Sequence, residues 1–156
     1  MVIFLIPSIP VLIMKYAGSM KSLKLSEKSN QPMIETGIDI VEVSRVQQVI
    51  SRHGDHFLKK IFHPEEISYC ESRVRKYEHY AVRFAAKEAC RKALLSHLSY
   101  HPAWTDMFVV NDQDGKPFLY LQEKIMNALT IRQISVSLSH TRDLATAVVF
   151  LEIGEE

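Results

Sequence analysis

The sequence is poor in cysteine and glycine, and its charges nearly cancel. Only two cysteines, Cys70 and Cys90, occur among 156 residues, and their spacing fits neither a zinc site nor a disulfide framework. We therefore expect two buried free thiols and a chain that resides in the reducing cytoplasm. A formal net charge of +1 provides no global attraction to nucleic acid or to a membrane surface, so a charged partner must be bound through a local patch.

No apolar run in the chain is long enough to form a stable membrane span. The longest run, MVIFLIPSIPVLIM, covers about 14 residues and contains two prolines, whereas a spanning helix needs about 20 residues. No basic stretch precedes this run, so a signal peptide is the weaker alternative. We treat residues 1–32 as an N-terminal extension of uncertain role, with Met33 as a second candidate translation start. Residues 33–156 are then one domain.

Hydrophobic periodicity locates a strand and a helix at the start of the domain. Residues 34–41 alternate with a period of two, which predicts a half-buried strand. Its apolar face carries Ile34, Ile38 and Ile40, and Asp39 lies on the opposite face. The period becomes helical from residue 43, and Gly54 is expected to end this helix.

Three further helices and four strands follow. The proline of HPEE marks the first turn of a helix, and residues 79–97 predict a longer helix. Two apolar runs around Asp114-Gly115 predict a hairpin, and KIMNAL fits a short helix. Residues 133–152 predict two strands joined through Thr141 to Asp143, the second of them central and covered on both faces. Together, these helices and strands predict an α+β domain with a mainly antiparallel sheet and helices on one side.

The long helix separates one acid and one base from its other charges. On a helical wheel, Arg83, Lys87 and Arg91 form one cationic stripe, which we expect to be solvated. Glu88 and Lys92 lie one turn apart on another arc, among alanines. The ordinary interpretation is an exposed i, i+4 ion pair. The alternative is that the alanines leave clearance above the helix for a phosphate and a metal ion.

Asp39 is the second acid that the pattern singles out. A carboxylate within an apolar strand is costly unless its charge is offset. Asp39 is either a cap for the helix that follows or an oxygen ligand that converges with Glu88. One or two carboxylates completed by substrate phosphates and water are the usual arrangement around Mg²⁺. Lys92 would then neutralise phosphate oxygens, which indicates phosphoryl transfer.

The segment SLSHT near the C-terminus contains a serine next to a histidine. Neighbouring residues of a strand point to opposite faces, so His140 cannot activate Ser139 as in a hydrolase. Two alternatives remain. Ser139, His140 and Thr141 contact a phosphate or a nucleotide where the strand meets a turn, or His140 is a structural residue.

Two arginines mark one face of the first helix. Arg45 and Arg52, with Gln48 between them, form either a solvated face or a docking surface for an acidic partner. Charge complementarity of this kind acts more on association rate and specificity than on affinity.

Four motifs occur in the order and spacing of a known family. GIDIVEVSRV, RFAAKEACRKAL, DGKP and SLSHT resemble the bacterial holo-[acyl-carrier-protein] synthases, the small class of 4'-phosphopantetheinyl transferases, over residues 33–152. The resemblance implies transfer of the 4'-phosphopantetheine arm of coenzyme A to a serine of apo-acyl carrier protein, with release of adenosine 3',5'-bisphosphate. It also implies a homotrimer whose active sites are shared between neighbouring subunits.

The resemblance further implies roles for individual residues. Asp39 and Glu88 match the Mg²⁺ ligands of the family, and Glu88 is the expected acceptor of the serine proton. Lys92 matches the phosphate-contacting lysine. Arg45 and Arg52 match the helix face that binds the acidic carrier protein.

The coenzyme A site of the family lies near the SLSHT run, which implies contacts from Ser139, His140 and Thr141. One departure concerns the loop after the long helix, because family members commonly carry glycines there and residues 96–107 carry none. Glycine permits close approach to a ligand, so this difference leaves the contacts between loop and coenzyme A open. The alternative function is a non-catalytic module that binds coenzyme A or a carrier protein.

Overall fold

A three-stranded antiparallel sheet and a separate two-stranded hairpin contain the strands of the domain. The computed structural model describes residues 32–154. The strands are β1 (Met33–Glu42), β2 (Met107–Asn111), β3 (Pro117–Leu121), β4 (Thr130–His140) and β5 (Leu144–Gly154), and the helices are α1 (Val43–Ile61), α2 (Pro64–Glu71), α3 (Lys76–Leu94) and α4 (Glu123–Met126). β5 lies between β1 and β4, and β2 pairs with β3. With α3 packed on one face of the sheet, the predicted α+β class is confirmed.

Most predicted elements are present, with shifted ends. The hairpin turns at Gly115, whose φ of 86° is left-handed, and α2 begins at the predicted proline. α3 begins and ends three residues before the predicted range 79–97. The prediction that Gly54 ends α1 is incomplete, because Gly54 kinks the helix with a φ of 53° and a further helical segment follows. That second segment buries Leu58 in the core.

β1 turns its isoleucines away from the core. Ile34, Ile38 and Ile40 are exposed by 67%, 62% and 64% in the single chain. The opposite face of the strand, which carries Gly37 and Asp39, packs against α3. The prediction that the isoleucine face is the buried one is therefore wrong for the single chain. The close approach of α3 requires a residue without a side chain, and glycine supplies it.

The alanines of α3 are packing surface rather than clearance for a ligand. Ala85, Ala89 and Ala93 are completely buried in the core between helix and sheet. A Cβ atom placed on Gly37 would lie 1.8 Å from the carbonyl oxygen of Ala89, so the two backbones are in direct contact. The prediction that these alanines leave room for a phosphate and a metal is wrong. They bring the charged residues of α3 next to β1 instead.

The cationic stripe of α3 is largely buried rather than solvated. Arg83 and Lys87 are exposed by only 2% and 0%, because α2 and β2 cover this side of the helix. Lys87 Nζ lies 2.7 Å from the carboxylate of Glu66 and donates hydrogen bonds to the carbonyls of Trp104 and Met107. Burial lowers the pKa of the Lys87 ammonium, and the attraction of Glu66 offsets part of that shift.

The core contains both thiols, as predicted. Cys70 and Cys90 are free and completely buried. Burial raises the pKa of each thiol to about 12. Since the thiolate is the reactive form, neither cysteine serves as a nucleophile at neutral pH.

One face of the three-stranded sheet is open in the single chain. β5 is central, as predicted, but its residues alternate between buried and more exposed. Phe150 on the open face is 48% exposed. The prediction that β5 is covered on both faces is therefore wrong for the single chain, since α3 covers one face only.

The predicted N-terminal extension lies outside the described residues, apart from Pro32. Its role therefore stays a prediction. Within residues 32–154, no helix combines the length and the apolar character needed to cross a bilayer.

Candidate active site

Asp39, Glu88 and Lys92 come together from two elements that are distant in the sequence. β1 presents Asp39 on the face that contacts α3, and α3 presents Glu88 and Lys92 one turn apart. All three line one cavity of about 460 Å³, which we name the carboxylate cavity. Its other lining residues are Ile40, Val41, Arg45, Val46, Val49, Phe57 and Phe84. The sequence predictions for these three residues therefore point to a single place in the fold.

An ion pair links β1 to α3 at this cavity. Lys92 Nζ lies 2.8 Å from Asp39 Oδ1 and donates a second hydrogen bond to the carbonyl of Ile38 at 2.9 Å. The Asp39 side chain is only 16% exposed, so this pairing offsets the cost of placing a carboxylate in the strand. Asp39 is not a helix cap, because the residue that precedes α1 is Glu42.

The Glu88 carboxylate is not engaged by the rest of the described chain. Glu88 is half-buried on α3, and within residues 32–154 its side chain makes no hydrogen bond or ion pair. The ordinary interpretation of Glu88 and Lys92 as an i, i+4 pair does not hold, because Lys92 binds Asp39 instead. A half-buried carboxylate without a partner can bind a cation or accept a proton.

Asp39 and Glu88 fit a Mg²⁺ site that a substrate completes. Both supply hard oxygen donors to one cavity. Among residues 32–154, no group of three or more histidine, cysteine, aspartate or glutamate side chains is arranged to hold a metal. Mg²⁺ is commonly held by one or two carboxylates, with substrate phosphates and water filling its octahedral shell. The donor set therefore agrees with a metal that binds together with a phosphate substrate.

A second cavity adjoins the first along α3. It has a volume of about 260 Å³ and shares Glu88 and Lys92 with the carboxylate cavity. We name it the loop cavity, because the glycine-free segment after α3 forms its outer wall. The remaining lining residues are Arg91, Leu94, Leu95, Leu98, Ser99, Tyr100, His101 and Pro102. Sequence reasoning missed Arg91 because it assigned this residue to the solvated stripe. The available signal was its position three residues after Glu88, which places the two side chains on neighbouring faces of the helix.

Arg45 and Arg52 are both exposed on α1 but reach different surfaces. Arg45 lines the carboxylate cavity. Arg52 lies beyond it, next to a shallow depression that Gln48 also lines. The residues that α1 buries in its first half are Val43, Val46 and Ile50. A cationic face thus begins at the cavity and continues along the exposed side of α1.

Ser139 and His140 point to opposite faces of the sheet, as predicted. The strand register places Ser139 in the same row as Ile40 on the open face. His140 lies on the α3 side, where its Nδ1 is 3.3 Å from a carboxylate oxygen of Glu78. A serine–histidine dyad is therefore absent from this pair, and His140 has the structural contact that the sequence left as an alternative.

Thr141 closes the turn between β4 and β5. Its hydroxyl oxygen accepts hydrogen bonds from the backbone N–H groups of Asp143 and Leu144. None of the three SLSHT residues lines the carboxylate cavity or the loop cavity of the same chain. The structure therefore does not bring Ser139, His140 and Thr141 together with Glu88 within one chain.

Comparison with known proteins identifies relatives of this fold and site. The family model of the 4'-phosphopantetheinyl transferase superfamily matches residues 35–149. The holo-[acyl-carrier-protein] synthase of Chloroherpeton thalassium is 41% identical over 119 residues, which cover 76% of this chain and 98% of that relative. The synthase of Geobacter sp. strain M21 is 43% identical over 120 residues, which cover 75% of this chain and 96% of the relative.

A solved structure supports the same assignment. The crystal structure of Helicobacter pylori holo-[acyl-carrier-protein] synthase in complex with coenzyme A matches with a TM-score of 0.67 and 32% sequence identity. The match covers 76% of this chain and 99% of that chain, so nearly the whole of the solved synthase has a counterpart here. The chain therefore belongs to the 4'-phosphopantetheinyl transferase superfamily, among the holo-[acyl-carrier-protein] synthases.

Proposed function

We propose that the carboxylate cavity is where this enzyme transfers the 4'-phosphopantetheine group of coenzyme A to a serine of apo-acyl carrier protein. The products are holo-acyl carrier protein and adenosine 3',5'-bisphosphate. The observation that carries the proposal is the convergence of Asp39, Glu88 and Lys92 in one cavity between β1 and α3. Phosphoryl transfer depends mainly on positioning and electrostatic stabilisation, and two carboxylates beside an ammonium group supply charges of both signs.

Asp39 and Glu88 are the residues that would hold Mg²⁺. When bound, the ion would neutralise the pyrophosphate oxygens and act as a Lewis acid. Lys92 is the ammonium group that neutralises phosphate oxygens next to these carboxylates. Its hydrogen bonds to Asp39 and to the carbonyl of Ile38 hold it at the cavity before substrate enters.

The transfer is a displacement at the phosphorus that bears the pantetheine arm. The serine oxygen forms a new bond to phosphorus, and the bond from phosphorus to the bridging oxygen breaks. The electron pair of that bond stays on the phosphate of the leaving nucleotide. Besides its role toward Mg²⁺, Glu88 is the proposed acceptor of the serine proton, directly or through a water molecule, since no side chain within residues 32–154 occupies its carboxylate. General base catalysis of this kind contributes about 10²- to 10⁴-fold.

The exposed arginines of α1 are proposed to receive the carrier protein. Arg45 lies at the carboxylate cavity and Arg52 continues the cationic face away from it. An acidic partner placed along this face would present its serine to the side of the cavity that α1 lines. Charge complementarity would raise the rate of productive encounter.

Changing both Arg45 and Arg52 to glutamate is expected to raise the KM for carrier protein by roughly tenfold or more, because steering becomes repulsion. Steady-state kinetics with varied carrier protein measure this effect. Arg52→Glu alone is the cleaner variant, since Arg52 does not line the cavity, and its KM for coenzyme A should not change. Unchanged carrier kinetics in both variants would show that this face is only solvated.

A homotrimer is proposed as the working assembly. The open sheet face carries Ile34, Ile38, Ile40 and Phe150, all exposed in the single chain, and several large apolar side chains exposed on one face are typical of an interaction surface. Ser139 lies on that face, so packing of a neighbour there would place the SLSHT segment close to another subunit. Light scattering should give three times the mass of one chain. A monomer that transfers phosphopantetheine at the full rate would contradict the shared site.

A non-catalytic module that binds coenzyme A or carrier protein is the alternative, and the glycine-free wall of the loop cavity is the observation in its favour. Chromatography of the nucleotide products distinguishes the two. The transferase releases adenosine 3',5'-bisphosphate from coenzyme A only when apo-carrier protein is present. Stabilisation by coenzyme A without any released nucleotide would indicate a binding module, because a ligand of the native state raises stability without turnover.

Two further predictions concern the bounds of the domain and the cellular compartment. The transferase domain is proposed to be residues 33–156, which include the family match over residues 35–149, and the extension before it keeps its uncertain role. The cytoplasm is the proposed compartment, because both buried cysteines are free thiols and free thiols persist in a reducing environment.

A further inference from the structure

The loop cavity contains an arginine that the proposed reaction does not use. Arg91 lies on α3 three residues after Glu88 and directly before Lys92, and it lines the loop cavity together with both. It is half-buried, whereas Lys92 is more exposed. Arg91 therefore contributes a second positive charge next to the acid and base of the proposed site.

Arg91 has no acidic partner in the described part of the chain. No carboxylate of residues 32–154 lies within ion-pair distance of its guanidinium. The neighbouring cations differ in this respect, because Lys92 is paired with Asp39 and Lys87 with Glu66. A half-buried guanidinium without a carboxylate has donors free for an anion.

An aromatic stack holds the Arg91 guanidinium in place. Its Cζ atom lies 4.3 Å from the centroid of the Trp104 ring. Trp104 stacks in turn on Phe84, with ring centroids 5.1 Å apart, and its carbonyl accepts a hydrogen bond from the buried Lys87 ammonium. Stacking orients the planar guanidinium, so less entropy is lost when it binds an anion.

The composition of the loop cavity suits the phosphate donor rather than the acceptor. Lys92 is shared with Asp39 of the neighbouring cavity, so Arg91 is the cation of this wall without a carboxylate partner among residues 32–154, and its guanidinium favours a ligand with negative charge. The remaining wall is mostly apolar, with Leu94, Leu95, Leu98, Tyr100 and Pro102 among the lining residues. Coenzyme A combines phosphate oxygens with a long, mostly uncharged arm, whereas the proposed carrier path lies on the α1 side of the neighbouring cavity.

We infer that Arg91 is a second phosphate contact for coenzyme A, acting from the loop cavity beside Lys92. This inference rests on the proposed function. Arginine presents several N–H donors in a planar fork that matches phosphate oxygens. The assignment makes the segment after α3 part of the donor site, because that segment leads to Trp104 and forms the cavity wall.

Arg91→Met tests this inference, since methionine keeps an unbranched stem that packs on the Trp104 ring but carries no charge. Steady-state kinetics with varied coenzyme A should show a KM roughly tenfold to hundredfold higher, as expected for loss of a hydrogen bond to a charged group. The KM for carrier protein should not change. Lys59→Met is the matched control, because it removes an exposed cation, 75% accessible, whose partner Asp55 is also on the surface.

Arg91→Lys separates charge from stacking. Lysine keeps the positive charge but loses the planar fork and its stack, so the KM for coenzyme A should lie between that of the unmodified protein and that of Arg91→Met. If Arg91→Lys, which keeps the charge, is at least as impaired as Arg91→Met, which keeps the packing on Trp104, the charge of Arg91 is not what binds coenzyme A, and the phosphate contact is wrong. An unchanged KM for coenzyme A in Arg91→Met would also overturn the inference.

Binding measurements keep this test separate from the proposed reaction. Trp104 is the only tryptophan in the chain, so its fluorescence can report coenzyme A binding in the presence of Mg²⁺ and without carrier protein. The Kd for coenzyme A should rise in Arg91→Met by the same factor as the KM. If the unmodified protein binds coenzyme A but modifies no carrier protein, the proposed function fails, while an equal Kd in both proteins defeats only the role of Arg91.

Discussion

Glu88→Gln is expected to lower the rate of carrier-protein modification at least about 100-fold, while the folded state is retained. Glutamine keeps the size of the side chain but can neither accept the serine proton nor supply an anionic ligand, and loss of the base alone costs about 10²- to 10⁴-fold. The fold should survive because the Glu88 carboxylate has no partner within residues 32–154. The measurement is the initial rate of holo-carrier formation, with a thermal melt as the check on folding.

Asp39→Asn should have the same effect on rate, because it removes the second anionic ligand and the partner of Lys92. Asp55→Asn is the matched control, since the Asp55 side chain is 84% exposed and pairs only with Lys59 among residues 32–154. Asp55→Asn should modify carrier protein at the rate of the unmodified enzyme. If both Glu88→Gln and Asp39→Asn still modify carrier protein in a Mg²⁺-dependent way, the assignment of these two carboxylates to the active site is wrong.

Gly37→Ala is expected to destabilise the protein by about 3 kcal/mol or more, at the upper end of the cost of overpacking. The added Cβ would lie 1.8 Å from the carbonyl oxygen of Ala89 and 3.1 Å from the backbone nitrogen of Ala93. Neither atom belongs to a flexible side chain, so α3 itself must move away from β1. Because Asp39 follows on the same face of the strand, that shift would also separate it from Lys92. Urea denaturation measures the loss of stability, and the rate of carrier modification measures the effect on the site.

Gly154→Ala provides the matched control for this substitution. Its added Cβ would also meet a close atom, Arg132 Nε at 2.5 Å, but that atom belongs to a long side chain that can rotate aside. We therefore expect a much smaller loss of stability than for Gly37→Ala. A Gly37→Ala protein as stable as the unmodified chain would mean that α3 does not approach β1 as closely as described.

The sequence located the site because two of its charged features are costly in isolation. Asp39 interrupts an apolar strand, and Glu88 with Lys92 departs from the cationic stripe of α3. Both features draw attention from local pattern alone, and the structure places all three residues at one cavity. What the pattern could not supply is the pairing, because the partner of Lys92 is Asp39 on another element rather than Glu88 one turn away.

The errors of sequence reasoning share one physical cause. A helical wheel gives the direction of a side chain but not the element that covers it. The stripe containing Arg83 and Lys87 therefore suggested solvent, although both are buried, and the alanines suggested open space, although they contact the sheet. The exposed isoleucines of β1 follow the same rule, since alternation shows that two faces differ but not which of them meets α3.

The most direct test of the account is the intact mass of a purified apo-acyl carrier protein after incubation with this enzyme, coenzyme A and Mg²⁺. The account predicts that the carrier gains the mass of one phosphopantetheine group, and that the gain disappears when the metal is removed with a chelator or when Glu88 is changed to glutamine. A carrier of unchanged mass, in a reaction where a known holo-[acyl-carrier-protein] synthase modifies the same preparation fully, would contradict it.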